Sequence, residues 1–220
     1  MKKLSLACLF IVLLLSNSYS QKKERPYRCG FVTKDSSELR KNYLEFWNYI
    51  NAKPGERIAS VGCGNGYVEA QIAAFNDNIE WTLQDIDTIC LNKTEWAQVL
   101  SHHERLKGKP ISGTFILLRG EEHITNLKRN YYDRIMMINT YHELSDQKGI
   151  LIDVKGALQE NGLLVIMERM AKRKNEKRKD CGHVMPWEPE MYQKLESHGF
   201  KLVQKVNTKG SLTSYTFKPI

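Results

Sequence analysis

From Arg57 onward the chain alternates between short apolar runs and helical segments. Strand-like runs occupy 57–61, 79–84, 112–118, 133–138, 163–168, 200–206 and 212–217, and helices are expected over 67–75, 88–103, 146–159 and 189–198. That alternation predicts an α/β fold with a largely parallel sheet and helices on both of its faces. The last two strands have only a turn at Gly210 between them, so they form an antiparallel hairpin. Ahead of the first strand, Leu39, Tyr43, Phe46, Trp47 and Ile50 recur at helical spacing, with Ser36 and Ser37 as caps and Lys53-Pro54-Gly55 as a stop.

The first 34 residues follow neither pattern. Lys2 and Lys3 precede an apolar run from Leu4 to Leu15 and a small polar stretch from Ser16 to Ser20, the layout of an export signal cut before Gln21. The run is too short for a membrane span, which needs about 20 apolar residues. No cysteine stands at position 21 to carry a lipid, so no stable membrane anchor is expected after cleavage. Residues 21–34 are polar, basic and aperiodic and read as an extended arm. The expected organisation is a signal peptide over 1–20, the arm over 21–34 and one domain over 35–220, exported and, in a bacterium, periplasmic or secreted.

Composition changes this picture little. The formal net charge is +8, and removing residues 1–20 takes away two lysines and no acid. A positive surplus permits attraction to anionic small molecules, and export argues against a nucleic-acid partner. The one basic run, from Arg169 to Asp180, follows the fifth strand and could form a flap over the sheet edge or a solvated loop. Four cysteines remain after cleavage, and they allow three complete pairings. Cys63 and Cys90 are expected as small packed residues, and Cys29 with Cys181, each beside a glycine in an irregular segment, as the bridge if one forms. Their spacing is not that of a zinc site, and no metal is assigned.

Chemistry concentrates in Arg57-Ile-Ala-Ser-Val-Gly-Cys-Gly-Asn-Gly-Tyr67. A strand enters a loop with glycine at 62, 64 and 66 and leaves through a helix, so a nucleotide-like ligand can lie against bare backbone and a helix N-terminus. The second strand ends at Asp85, where a carboxylate accepts ribose hydroxyls. A dinucleotide fingerprint would require glycine at 67, and Tyr67 stands there.

With these motifs the chain, from Asp35 to about Phe217, resembles the class I S-adenosylmethionine-dependent methyltransferases. The resemblance implies a Rossmann-like sheet of seven strands, the last inserted antiparallel, and S-adenosyl-L-methionine as cofactor. It places the cofactor against Ser60, Gly62, Cys63, Gly64, Gly66, Asp85, Ile86 and Asn139, with Glu121 on the adenine and Glu122 as alternate. The segment Asn139-Thr-Tyr-His-Glu143 looks like the pocket-lining element of a bacterial subgroup, which implies His142 as base or orienting residue, Tyr141 packing on the pocket and Glu143 orienting a neighbour. His183, ahead of the helix at 189, could face the same pocket, and the helix before the first strand could serve as a lid. The family usually has an acid two places before its first glycine, and here that place is Ser60. The expected activity is in-line methyl transfer to a small-molecule acceptor, with the positive surplus allowing an anionic one; the alternative is an exported binding protein that kept the fold without turnover.

Overall fold

The computed structural model describes residues 25–220. The expected signal peptide over 1–20 and the start of the arm lie outside the described residues. Helix α1 (Ser36–Glu45) and a 3-10 turn (Trp47–Ile50) lead into strand β1 (Arg57–Val61), followed by α2 (Tyr67–Ala73), β2 (Glu80–Asp85), α3 (Lys93–Lys107), β3 (Thr114–Arg119) and β4 (Tyr132–Ile138). A second 3-10 turn (Tyr141–Glu143) then precedes α4 (Gln147–Ala157), β5 (Leu158–Glu168), α5 (Glu188–Ser197), β6 (Phe200–Asn207) and β7 (Thr213–Pro219). The seven strands lie in the order β3-β2-β1-β4-β5-β7-β6. Strands β1 to β5 pair in parallel, and β7 runs antiparallel to both β5 and β6.

Alternation along the central strands divides the interior in two. Met136 joins Ile58, Trp81 and Leu83 on the face covered by α1, α2 and α3. Its neighbours Ile135 and Met137 point the other way, joining Ala59, Val61 and Leu164 beneath α4 and α5. Both faces are buried, which is why these strands read as continuous apolar runs.

Several boundaries differ from the sequence expectation for local reasons. Asp35, not Ser36 or Ser37, caps α1, its Oδ1 accepting from the Glu38 N–H at 2.9 Å. Helix α3 begins at Lys93 rather than near 88, because the Asp87 carboxylate takes the N–H groups of Ile89 and Cys90 into a turn and Asn92 then caps the helix. Strand β5 starts at Leu158, its first residues reached through a bulge opposite Tyr132 and Arg134.

The disulfide is a correction. Cys29 is bridged to Cys90, whereas Cys63 is a buried free thiol and Cys181 an exposed one. The cause is the path of the segment ahead of α1. Tyr27 is buried against the imidazoles of His102 and His103, and the N–H groups of Arg28 and Cys29 donate to the Glu95 carboxylate on α3. That docking carries Cys29 to the turn after β2, far in sequence but adjacent in space. Among the described residues, no helix is long and apolar enough to cross a membrane.

Candidate functional site

Strand order reverses between β1 and β4, and the carboxyl ends of those strands open a crevice, the place where open α/β sheets bind ligands. The glycine loop turns there because Gly62 and Cys63 hang their N–H groups on the Gln84 carbonyl of β2. Gly64 has a φ of 59°, and no atom of the described residues lies within 4 Å of where its Cβ would stand, so this part of the loop presents bare backbone to open space. Its N–H donates to Asp85 Oδ2 at 2.6 Å, while Oδ1 accepts from Asp87 at 2.9 Å. Each oxygen keeps a second lone pair for a ligand hydroxyl. Burial pushes the Asp85 pKa up, partly offset by those N–H donors.

The crevice holds a cavity of about 410 Å³. Gly62, Gly64, Asp85, Ile86, Glu121 and Glu143 line it, and Val61, Leu144 and Ile150 supply apolar wall. Five acidic residues line it, Asp85, Asp87, Glu121, Glu122 and Glu143, with no lysine or arginine among the described lining residues. In a chain of net charge +8 that is a local inversion of sign. A dinucleotide would bring two phosphate charges into this wall, whereas S-adenosylmethionine, with a sulfonium and an ammonium against one carboxylate, brings a net positive charge. The donor set fits the sulfonium cofactor.

Other expected residues fall elsewhere. Gly66 caps α2 against Trp96, Cys63 is packed behind the loop, and Ser60 lies beneath it, bonded to Glu69. Asn139 adopts a φ of 54° and faces a second cavity of about 470 Å³, whose walls include Phe31, Phe46, Trp47, Gln71 and Arg169. Tyr67 lines both cavities and forms the partition between them.

Tyr141 and His142 line a third cavity, of about 240 Å³. Tyr141 is buried, its hydroxyl without a partner among the described residues, and burial raises its pKa. His142 Nδ1 lies 3.0 and 3.1 Å from the two oxygens of Glu168, a fully buried carboxylate at the end of β5. Burial by itself would lower the His142 pKa, but the bonds and charge of Glu168 outweigh it and the net direction is up. Neither Glu168 nor Glu69 stood out in the sequence, because an acid at a strand end or in a helix's first turn is ordinary there. The basic run closes over this cluster: Arg178 Nη1 donates to Asn139 Oδ1 at 3.2 Å, and Lys177 bridges to Val184. His183 places its ring 6.1 Å from that of His142, edge to face.

This strand order, with β7 inserted antiparallel and the ligand loop after β1, decides the architecture. The fold is that of the class I S-adenosylmethionine-dependent methyltransferases. No family model and no curated protein matches the chain in sequence. Among solved structures, a methyltransferase from Aquifex aeolicus aligns with a TM-score of 0.59 at 19% identity, covering 85% of this chain and 100% of its own. The glycopeptide N-methyltransferase MtfA, complexed with sinefungin, aligns at 0.58 and 12% identity, covering 88% and 90%. The [4+2]-cyclase SpnF aligns at 0.65 and 14%, covering 88% and 85%. At these identities the likeness to methyltransferases establishes the fold, and activity must be argued from the site.

Proposed function

We propose that this protein is an exported S-adenosylmethionine-dependent methyltransferase acting on a small-molecule acceptor. The observation that carries the reading is the crevice at the glycine loop, whose five acidic residues and absence of basic lining suit a cationic nucleoside cofactor. When bound, that cofactor supplies a methyl group on a positively charged sulfur. Asp85 would hold the ribose, Glu121 or Glu122 the adenine amino group, and Ile86 the base from one side. The sinefungin-bound neighbour supports the same choice of ligand.

The second cavity, across Tyr67, is the acceptor seat on this reading. Its aromatic walls suit a flat or apolar body, and Arg169 offers a counter-charge to an anionic group. Catalysis of a displacement rests chiefly on aligning the two reactants. His142, oriented by Glu168, lines neither of these two cavities, so it is not placed to take the acceptor's proton directly. The Cys29–Cys90 bridge supports an oxidising compartment, in keeping with the leader-like residues 1–20.

The test is turnover. With methyl-labelled cofactor and a panel of small aromatic and carboxylate acceptors, wild-type protein should release demethylated cofactor in proportion to labelled product, and Asp85→Ala should lose most of that rate. Tight cofactor binding with no transfer to any acceptor would favour the non-catalytic alternative.

A further inference from the structure

His142 offers one ring nitrogen to Glu168 and leaves the other, Nε2, facing two further donors. Cys181 Sγ lies 3.7 Å from Nε2, and Glu143 Oε1 lies 3.6 Å from it. The three ligand atoms all fall within 4.8 Å of one another. Bonds of about 2.0 Å to nitrogen and oxygen and about 2.3 Å to sulfur, opened at a tetrahedral angle, put neighbouring donors roughly 3.3–3.6 Å apart. Both observed separations from Nε2 lie within a few tenths of an ångström of that edge length.

We propose that His142, Cys181 and Glu143 bind a transition-metal ion, with zinc the best match. Imidazole, thiolate and carboxylate together form a borderline-soft donor set, which calcium and magnesium do not favour. Glu168 supports the assignment independently: ligating histidines characteristically donate their other N–H to a carboxylate, which fixes the ring and the tautomer. Here that carboxylate is fully buried and engages Nδ1 with both oxygens. Arg178 Nη1 also donates to Nε2, at 3.4 Å, so Nε2 presents its lone pair outward. An ion replaces that long bond, and Arg178 stays held by Asn139 and Asp180.

Three protein ligands leave a fourth position for water or another oxygen ligand, the pattern of catalytic rather than closed structural zinc sites. The site stands without the methyl-transfer reading. If both hold, Glu143 joins them, because it also lines the loop-side cavity.

The test uses the chain without cofactor. Cobalt(II) serves as the spectroscopic probe, and zinc is titrated against a chromophoric chelator. One equivalent should bind, with thiolate-to-cobalt charge-transfer absorption. Cys181→Ser, at an exposed position, should abolish the band, and Cys63→Ser should leave it. Glu168→Gln should weaken binding about 10- to 100-fold while the band persists. Absence of saturable uptake, or a band and affinity that survive Cys181→Ser, would overturn the proposal.

Discussion

Ser60 Oγ donates a 2.6 Å hydrogen bond to Glu69 Oε1 beneath the glycine loop, and the other carboxylate oxygen of Glu69 has no partner among the described residues. Both side chains are buried. Where the methyltransferase pattern has an acid at the end of β1, this chain has a serine, and a carboxylate arrives at the same place from the first turn of α2. Burial raises the Glu69 pKa from 4.5 to about 7.

That pair makes stability pH-dependent in a defined direction. A carboxyl that holds its proton more tightly folded than unfolded contributes fully below its ordinary pKa, and the contribution is lost as pH rises to about 7. Glu69→Gln keeps an acceptor for Ser60 and removes the titration, so at pH 8 it should stabilise the protein by about 3 kcal/mol at most. Buried His103 has the opposite sign: burial lowers its pKa from 6.5 to about 4, so its contribution grows with pH across that interval. In Glu69→Gln the His103 slope is unopposed, and stability should rise more steeply between those two pKa values than in wild type. Denaturant midpoints measured across the range check both statements.

Asp85→Ala should weaken S-adenosylmethionine binding by about 10- to 100-fold, the worth of hydrogen bonds to a charged group. It also releases the Gly64 and Asp87 N–H groups, so Asp85→Asn, which keeps acceptors, should retain more affinity. Equal affinity in Asp85→Ala and wild type would remove the ribose assignment.

Gly64→Ala separates loop shape from ligand space. At a φ of 59° an alanine costs about 1–2 kcal/mol of stability. Because no other atom of the described residues lies within 4 Å of the added methyl, a larger loss in cofactor affinity than in stability means the ligand passes over this residue.

The Cys29–Cys90 bridge closes a loop spanning 61 residues, and both cysteines line the cavity at the glycine loop. Cys29→Ser with Cys90→Ser should lower stability by about 2–4 kcal/mol. It should weaken cofactor binding as well, because residues 29 and 30 form part of the cavity wall. Thermal melts and titration of the double variant test the two effects separately.

The sheet was legible in the sequence because both faces of its central strands are buried, so apolar runs marked them to within a few residues. Gly62, Gly64, Asp85, Ile86 and Glu121 line one cavity because parallel strands bring the loops after β1, β2 and β3 to the same edge of the sheet. What joined distant residues was not legible. Glu69 and Glu168 matter through their partners Ser60 and His142, and a single sequence records no partners. The Cys29 pairing depended on Tyr27 and Glu95 docking the leading segment onto α3. His142 is buried and lines a separate cavity from the exposed Glu143, yet the short 3-10 turn at Tyr141–Glu143 brings the two side chains to 3.6 Å, a closeness their adjacency in sequence does not reveal.

The most direct measurement is calorimetric titration of residues 21–220 with S-adenosylmethionine, its demethylated product and a nicotinamide dinucleotide. The carboxylate-lined crevice predicts saturable one-site binding of the first two and none of the third. Dinucleotide binding, or a folded protein that binds none of the three, would contradict it.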